Sequence, residues 1–272
     1  MASKPVFSDP FAAVDLQPVV VAGETVPTRV AVRVQADDGQ YAVNGILGRD
    51  YQLLTNRKVR DLAEDILSRA QDQYGAFHSI KTLWNGKVYI DYFASEGSLT
   101  RNGLDLKLGL LAWNSYDGTR KTGFEVYALN PTCTNQYHSR NRLGFFAWRH
   151  TPGEAQQIDT EDALQQISVG AQNIIKVAKE IEVFKAVDLT PKLLKDARKY
   201  TEMPSSKWGE VIDHIEEDTK FGLYQALTNV ASHELTGMNA STIGSSITEF
   251  FVDGPPKEAF HHATVEQVLQ NR

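Results

Sequence analysis

Val30, Val32 and Val34 alternate with Ala31 and Arg33, and Arg29 precedes them. A period of two puts the valines on one buried face and both arginines on the other, which predicts a strand from about Thr28. Residues 1–26, with scattered prolines and short apolar pieces such as Val19-Val20-Val21, read as an extended lead-in. After Gly45 and Gly48, Tyr51–Leu54 is short and strand-like, and Asn56 stands where an N-cap would open a helix. Val59, Leu62, Ala63, Ile66, Leu67 and Ala70 follow at helical spacing, so that helix ends before Gly75.

Two hairpins come next. Asn85-Gly86 is the favoured type I′ dipeptide, and it separates Phe77–Ile80 from Val88–Phe93. Leu104–Trp113 turns through Asn114-Ser115-Tyr116-Asp117-Gly118 and returns as Phe124–Tyr127, before Asn130-Pro131 closes the strand. Past Thr151-Pro152-Gly153 the strand signals stop. Leu164, Ile167, Ala171, Ile174, Ala178 and Ile181 form a seam on a long helix opened by Asp159 or Thr160, too short for a coiled coil and suited to intramolecular packing. Thr190-Pro191 opens a further helix, Met203–Ser206 breaks it, and another runs from about Gly209 to His233.

The expected fold class is α+β: an antiparallel, hairpin-rich part with one packed helix, followed by an α-helical part. The expected units are the lead-in at 1–26, a β-rich domain at 27–150 and a helical region at 151–236. A Ser/Gly/Pro-containing tail at 237–272 ends in a short helix from about Lys257.

Composition narrows the function. The chain has 272 residues, 42% of them hydrophobic, which describes a globular protein able to bury a sizeable core. No apolar run is long enough for a membrane-spanning helix, and Met1–Pro10 lacks the pattern of a secretion signal. With Cys133 as the single cysteine, no internal disulfide can form, and a cytoplasmic setting follows as the expectation. The formal net charge is −6, yet between Arg120 and Arg149 five cations (Arg120, Lys121, Arg140, Arg142, Arg149) accompany one acid, Glu125. A basic segment in an acidic protein is the main compositional clue.

Catalytic signatures are missing: there is no P-loop and no G-x-G-x-x-G, and His233-Glu234 lacks a second histidine. No catalytic residue, cofactor or metal site is therefore expected. Cys133 reads as a packing residue, with a nucleophile partnered by His138 and Asn135 as the rival. His261-His262 reads as surface, and Asp213, Glu216, Glu217 and Asp218 read as a solvated helix face. The basic segment also interleaves Tyr137, Phe145, Phe146 and Trp148, and cations for phosphates beside flat rings for bases are what single-strand binding requires. The candidate nucleic-acid-binding residues are Arg120, Lys121, Tyr137, Arg140, Arg142, Trp148 and Arg149, widened by Lys81 and Lys87, with Arg101, Lys107, Arg29 and Arg33 beyond them. The rival is that these cations balance an acidic helical region while the rings are core.

Gly48–Asn56 (GRDYQLLTN), Asn114–Gly118 (NSYDG), Thr132–Asn135 (TCTN) and Gly222–Thr228 (GLYQALT) resemble a family of phage- and plasmid-borne proteins of unknown function, over roughly residues 45–235. Gln136 stands where that family usually carries glycine. The resemblance implies a mobile-element origin and, by analogy, a role in DNA transactions. The order of hairpins, helix and helical region is also similar to phage single-strand annealing proteins, which form rings around a basic groove. The first expectation is thus a homo-oligomeric, ATP-independent protein that binds and anneals single-stranded DNA. The second is a phage protein that binds a host protein through its acidic helices to inhibit a defence or replication system.

Overall fold

The computed structural model describes residues 4–99, 105–140, 143–152, 160–235 and 238–255. Val14–Val21 (β1), Glu24–Gln35 (β2) and Tyr41–Gly48 (β3) form an antiparallel three-stranded sheet in that order. Val32 and Val34 are buried against Tyr116, as their alternation predicts, while Arg33 faces outward and pairs with Asp15 at 2.7 Å. The lead-in is corrected: residues 14–26 belong to this sheet. Ala22 and Gly23 both have positive φ (52° and 87°), the two-residue turn whose twist matches paired strands. Three consecutive valines hide this strand from a period-two reading.

Tyr51–Leu54 is irregular and leads into α1 (Asn56–Tyr74). The cap is Thr55, whose hydroxyl accepts from the Lys58 N–H at 3.2 Å, and the helix stops at Gly75. A second sheet contains β4 (Phe77–Trp84), β5 (Val88–Ser98), β6 (Lys107–Ser115) and β7 (Thr122–Leu129), joined in sequence order. The free side of β7 is shared by two short strands: β8 (Gln136–His138) pairs with its end and β9 (Phe145–Trp148) with its start. Both expected hairpins form, but the first does not use a type I′ turn. Only Gly86 has positive φ, and the Asn85 side chain caps the turn by accepting from the N–H groups of Lys87 and Val88.

One face of this sheet is covered by Val59, Ala63, Ile66 and Leu67 of α1. Helix α2 (Thr160–Val183) adds Ile167, Ala171, Ile174, Ala178 and Ile181 to the same core, so its seam packs within the chain. Gly170 makes the contact possible, since a Cβ there would strike the Leu143 carbonyl and Val126. After α3 (Pro191–Tyr200), the helix expected from Gly209 to His233 is two: α4 (Trp208–Asp213) and α5 (Lys220–His233). Thr219 starts α5 afresh, its hydroxyl accepting from the Gly222 N–H at 3.0 Å, and Glu216-Glu217-Asp218 lie in the exposed connection, off any helix face.

Residues 238–253 are a packed helix, α6 (Met238–Asp253), where a Ser/Gly/Pro-containing tail was expected. Ile243, Ile247, Phe250 and Phe251 enter the main core, while Ser241, Gly244 and Ser245 let the helix approach β8 closely. Small residues that read as loop in the sequence here allow close packing. The short helix expected from Lys257 lies outside the described residues. A single core joins α1, β6, β7, α2, α5 and α6, across the boundary drawn near residue 151, in an α+β fold. Among the described residues no helix is long and apolar enough to cross a membrane.

Candidate nucleic-acid interface

Four distant segments meet where the two sheets adjoin. Pro27-Thr28, Leu47–Tyr51, Gly118–Lys121 and Arg149–Thr151 line an open cleft of about 970 Å³. Arg49, Arg120, Lys121 and Arg149 all line it and all are exposed, and Asp50 is the one acid among the lining residues. Arg49, Arg120 and Lys121 form no salt bridge among the described residues. Like charges gathered in a concavity raise the local potential and concentrate polyanions there.

Hydrogen bonds order the backbone that carries Arg49 and the turn that leads to Arg120 and Lys121. The Arg49 N–H donates to the Thr28 carbonyl at 3.1 Å, tying the end of β3 to β2, and Arg29 pairs with Gly48 one step away. The Asp117 carboxylate orders the β6–β7 turn by accepting from Ser115 Oγ at 2.9 Å, Thr119 Oγ1 at 2.6 Å and the Thr119 N–H at 3.1 Å. Partial burial pushes the Asp117 pKa up, but the donors on Thr119 and Ser115 and the nearby charge of Lys87 outweigh it and hold the carboxyl below its usual range. Gly118, at φ 72°, packs its backbone against Leu47, a place where a Cβ would collide.

The cleft floor is a stacked pair, Tyr51 on His150, with ring centroids 4.8 Å apart and planes 16° apart. Beneath it, His150 Nε2 lies 3.0 Å from Thr122 Oγ1, and His150 Nδ1 lies 3.2 Å from the Gln52 carbonyl. Burial draws the His150 pKa below its ordinary value, and the Gln52 carbonyl pulls the other way. Burial, with Tyr116 and Asp117 nearby, pushes the Tyr51 phenol pKa well up.

Of the sequence-selected residues, Arg120, Lys121 and Arg149 come together here. Lys87 is exposed in the adjoining β4–β5 turn, whereas Lys81 and Lys107 line a separate groove with His78 and His233. Arg142 and Arg101 lie outside the described residues. Two assignments are corrected. Tyr137 is 1% exposed, its hydroxyl donating to Gln225 Oε1 at 3.2 Å, so its ring offers no face to a base. Arg140 is half-buried, its Nε 3.3 Å from Glu125 and its Nη2 on Ser241 and Thr242, which makes it a link between β7 and α6. Trp148 is half-buried, edge-on to Phe124 and Phe146, and Arg33 is held by Asp15.

Sequence reading missed Arg49 and His150. The available signal was Arg49-Asp50, a charged pair just after Gly48, but only the tertiary fold, with the Gln52 N–H donating to the His150 carbonyl at 2.9 Å, brings it into one cleft with Arg149. Cys133 and His138 do not form a catalytic pair: His138 Nδ1 is 2.8 Å from the buried Glu125, while Cys133 faces Gln225 and burial raises its thiol pKa. The Thr132–Asn135 and Gly222–Thr228 stretches do meet, with Asn135 Nδ2 donating to Gln225 Oε1 at 2.9 Å.

No family model matches this chain, and no curated protein or solved structure matches it either.

Proposed function

We propose that the protein binds single-stranded DNA along the cleft of Arg49, Arg120, Lys121 and Arg149 and anneals it without ATP, in replication or recombination of a phage. The observation that carries this reading is the convergence of four exposed cations from three distant segments on one concavity. Such a site recognises phosphates by charge and carries no base readout, so binding is sequence-independent and salt-sensitive. With Tyr137 buried and Trp148 packed, stacking contributes less than the sequence implied. A homo-oligomer would align the clefts of successive copies into one track, raising affinity without a new contact.

The test is anisotropy of labelled single- and double-stranded oligonucleotides at several salt concentrations, with the protein's mass in solution measured alongside. Binding that weakens with salt, and a slope that falls by about 0.7 for each phosphate contact removed in Arg49→Ala or Arg120→Ala, supports the cleft. Absence of binding at low salt removes the reading.

A second reading, a protein that docks on a host protein, rests on β3. This edge strand carries no charged residue from Tyr41 to Gly48 and exposes Val43 at 56% and Ile46 at 57%. Free edges are ordinarily blunted by charge. A stoichiometric host protein that survives nuclease treatment and is lost on Val43→Lys favours this second reading.

A further inference from the structure

We propose that His150 couples the cleft to protons, so that filling the cleft with a polyphosphate chain places a proton on its imidazole. The inference rests on the nucleic-acid reading above and names its regulation.

The hydrogen bonds beneath the cleft fix their own direction. Asn56 Nδ2 donates to the Pro10 carbonyl at 2.7 Å, which leaves Asn56 Oδ1 as an acceptor. Asn114 Nδ2 donates to that oxygen at 2.9 Å and to the Leu54 carbonyl at 2.8 Å, so Asn114 Oδ1 must also accept. The single hydroxyl proton of Thr122 therefore goes to Asn114 Oδ1, at 2.6 Å, and Thr122 Oγ1 turns a lone pair to His150 Nε2. On the other side His150 Nδ1 meets the Gln52 carbonyl, which can only accept. Both ring nitrogens thus face acceptors, an environment complementary to imidazolium, while neutral imidazole has one N–H to offer.

Burial opposes the charge in the empty cleft: His150 is 8% exposed, which disfavours the ionised form. Arg149 next to it in sequence, Arg49 at the end of β3, and Arg120 and Lys121 at the β6–β7 turn line the same cleft, which draws polyanions to its mouth. Asp50 on the rim and Asp117 in the turn favour the charge in part, and Tyr51, stacked on the ring, stays neutral. Phosphates held at Arg49, Arg120 and Lys121 bring a negative field into the cleft, which favours the imidazolium that the acceptors on Thr122 and Gln52 already suit. By linkage, what favours the proton is favoured by it, and affinity rises as pH falls.

The test measures the Kd of an oligo-dT strand from pH 8 to pH 5.5 at fixed ionic strength, with the His150 Cε1–H resonance followed with and without the strand. The expected result is tightening by up to roughly tenfold per pH unit over part of this range, and a titration midpoint for His150 that moves upward when the strand is bound. His150→Gln loses that pH dependence. Thr122→Val, which keeps the ring and removes one acceptor, lowers the bound-state midpoint and serves should His150→Gln fail to fold. Binding without proton uptake, or a pH dependence retained in His150→Gln, overturns the coupling and leaves the nucleic-acid reading standing. No binding at any pH overturns both.

Discussion

The ring of Tyr127 lies flat across Gly109, its cross-strand partner between β6 and β7, in the place where any other residue would have a side chain. The Tyr127 hydroxyl then reaches over to donate to the Phe93 carbonyl on β5 at 3.0 Å, so one side chain ties three adjacent strands. Aromatic cover of a strand glycine replaces the packing that glycine lacks.

Gly109→Ala should therefore behave as an overpacking change. The added methyl displaces the Tyr127 ring and breaks its bond to Phe93, at a cost of about 1–3 kcal/mol. Urea unfolding measures it. Tyr127→Phe, which loses only the hydroxyl, should cost less, and equal losses would mean the ring moves freely.

Glu125 is fully buried, and its carboxylate collects His138 Nδ1 at 2.8 Å, Ser241 Oγ at 2.6 Å and Arg140 Nε at 3.3 Å. Burial pushes its pKa up, but His138, Ser241 and Arg140 together outweigh burial and leave it below the ordinary value. A carboxyl whose folded pKa is depressed stabilises the fold above its unfolded pKa and loses that contribution as pH falls through the folded one. At pH 7, Glu125→Gln should cost about 3–5 kcal/mol by leaving Arg140 half-buried without its counter-charge. The gap to the wild type should narrow below about pH 4, in thermal unfolding followed across pH.

Asp117 separates order from charge in the cleft. Removing an acid next to a polyanion site should, on Coulomb attraction alone, tighten binding. Because this carboxylate holds the turn that presents Arg120 and Lys121, Asp117→Ala should instead weaken oligonucleotide binding, by several-fold, with little change in salt slope. Tighter binding would show that the turn needs no such ordering.

Cys133 is half-buried, and burial holds its thiol pKa above the ordinary value. Its alkylation at pH 7 should be slower than in the urea-unfolded chain, and Cys133→Ser should leave DNA binding unchanged. Fast alkylation in the native protein would reopen the nucleophilic reading.

What the sequence disclosed followed from local signals. Helix α1 and the α2 seam repeat at the helical period, the β4–β5 and β6–β7 hairpins are marked by their turn residues, and each forms. Several elements escaped. Strand β1 alternates only over Val14-Asp15-Leu16-Gln17 before Pro18 and three consecutive valines break the pattern, β3, β8 and β9 are short or carry glycine, and α6 is rich in Ser, Thr and Gly because it packs against β8, where the ring of His138 would lie 3.0 Å from a Cβ on Gly244. For the cleft, composition located Arg120, Lys121 and Arg149 but could not tell them from Arg140, which lies in the same basic stretch. What separates them is whether a buried acid waits nearby, and Glu125, fifteen residues away in sequence, is brought there by β7–β8 pairing.

Ser241, the hydroxyl that reaches Glu125, is 116 residues further along the chain. During translation the sheet emerges long before the helix that caps this carboxylate, so the nascent chain must keep Glu125 hydrated until α6 has left the ribosome. Completion of the core thus waits on the last described helix. A chain ending at residue 236 would lack the Ser241 hydroxyl on Glu125 and the Ile243, Ile247, Phe250 and Phe251 side chains of the main core.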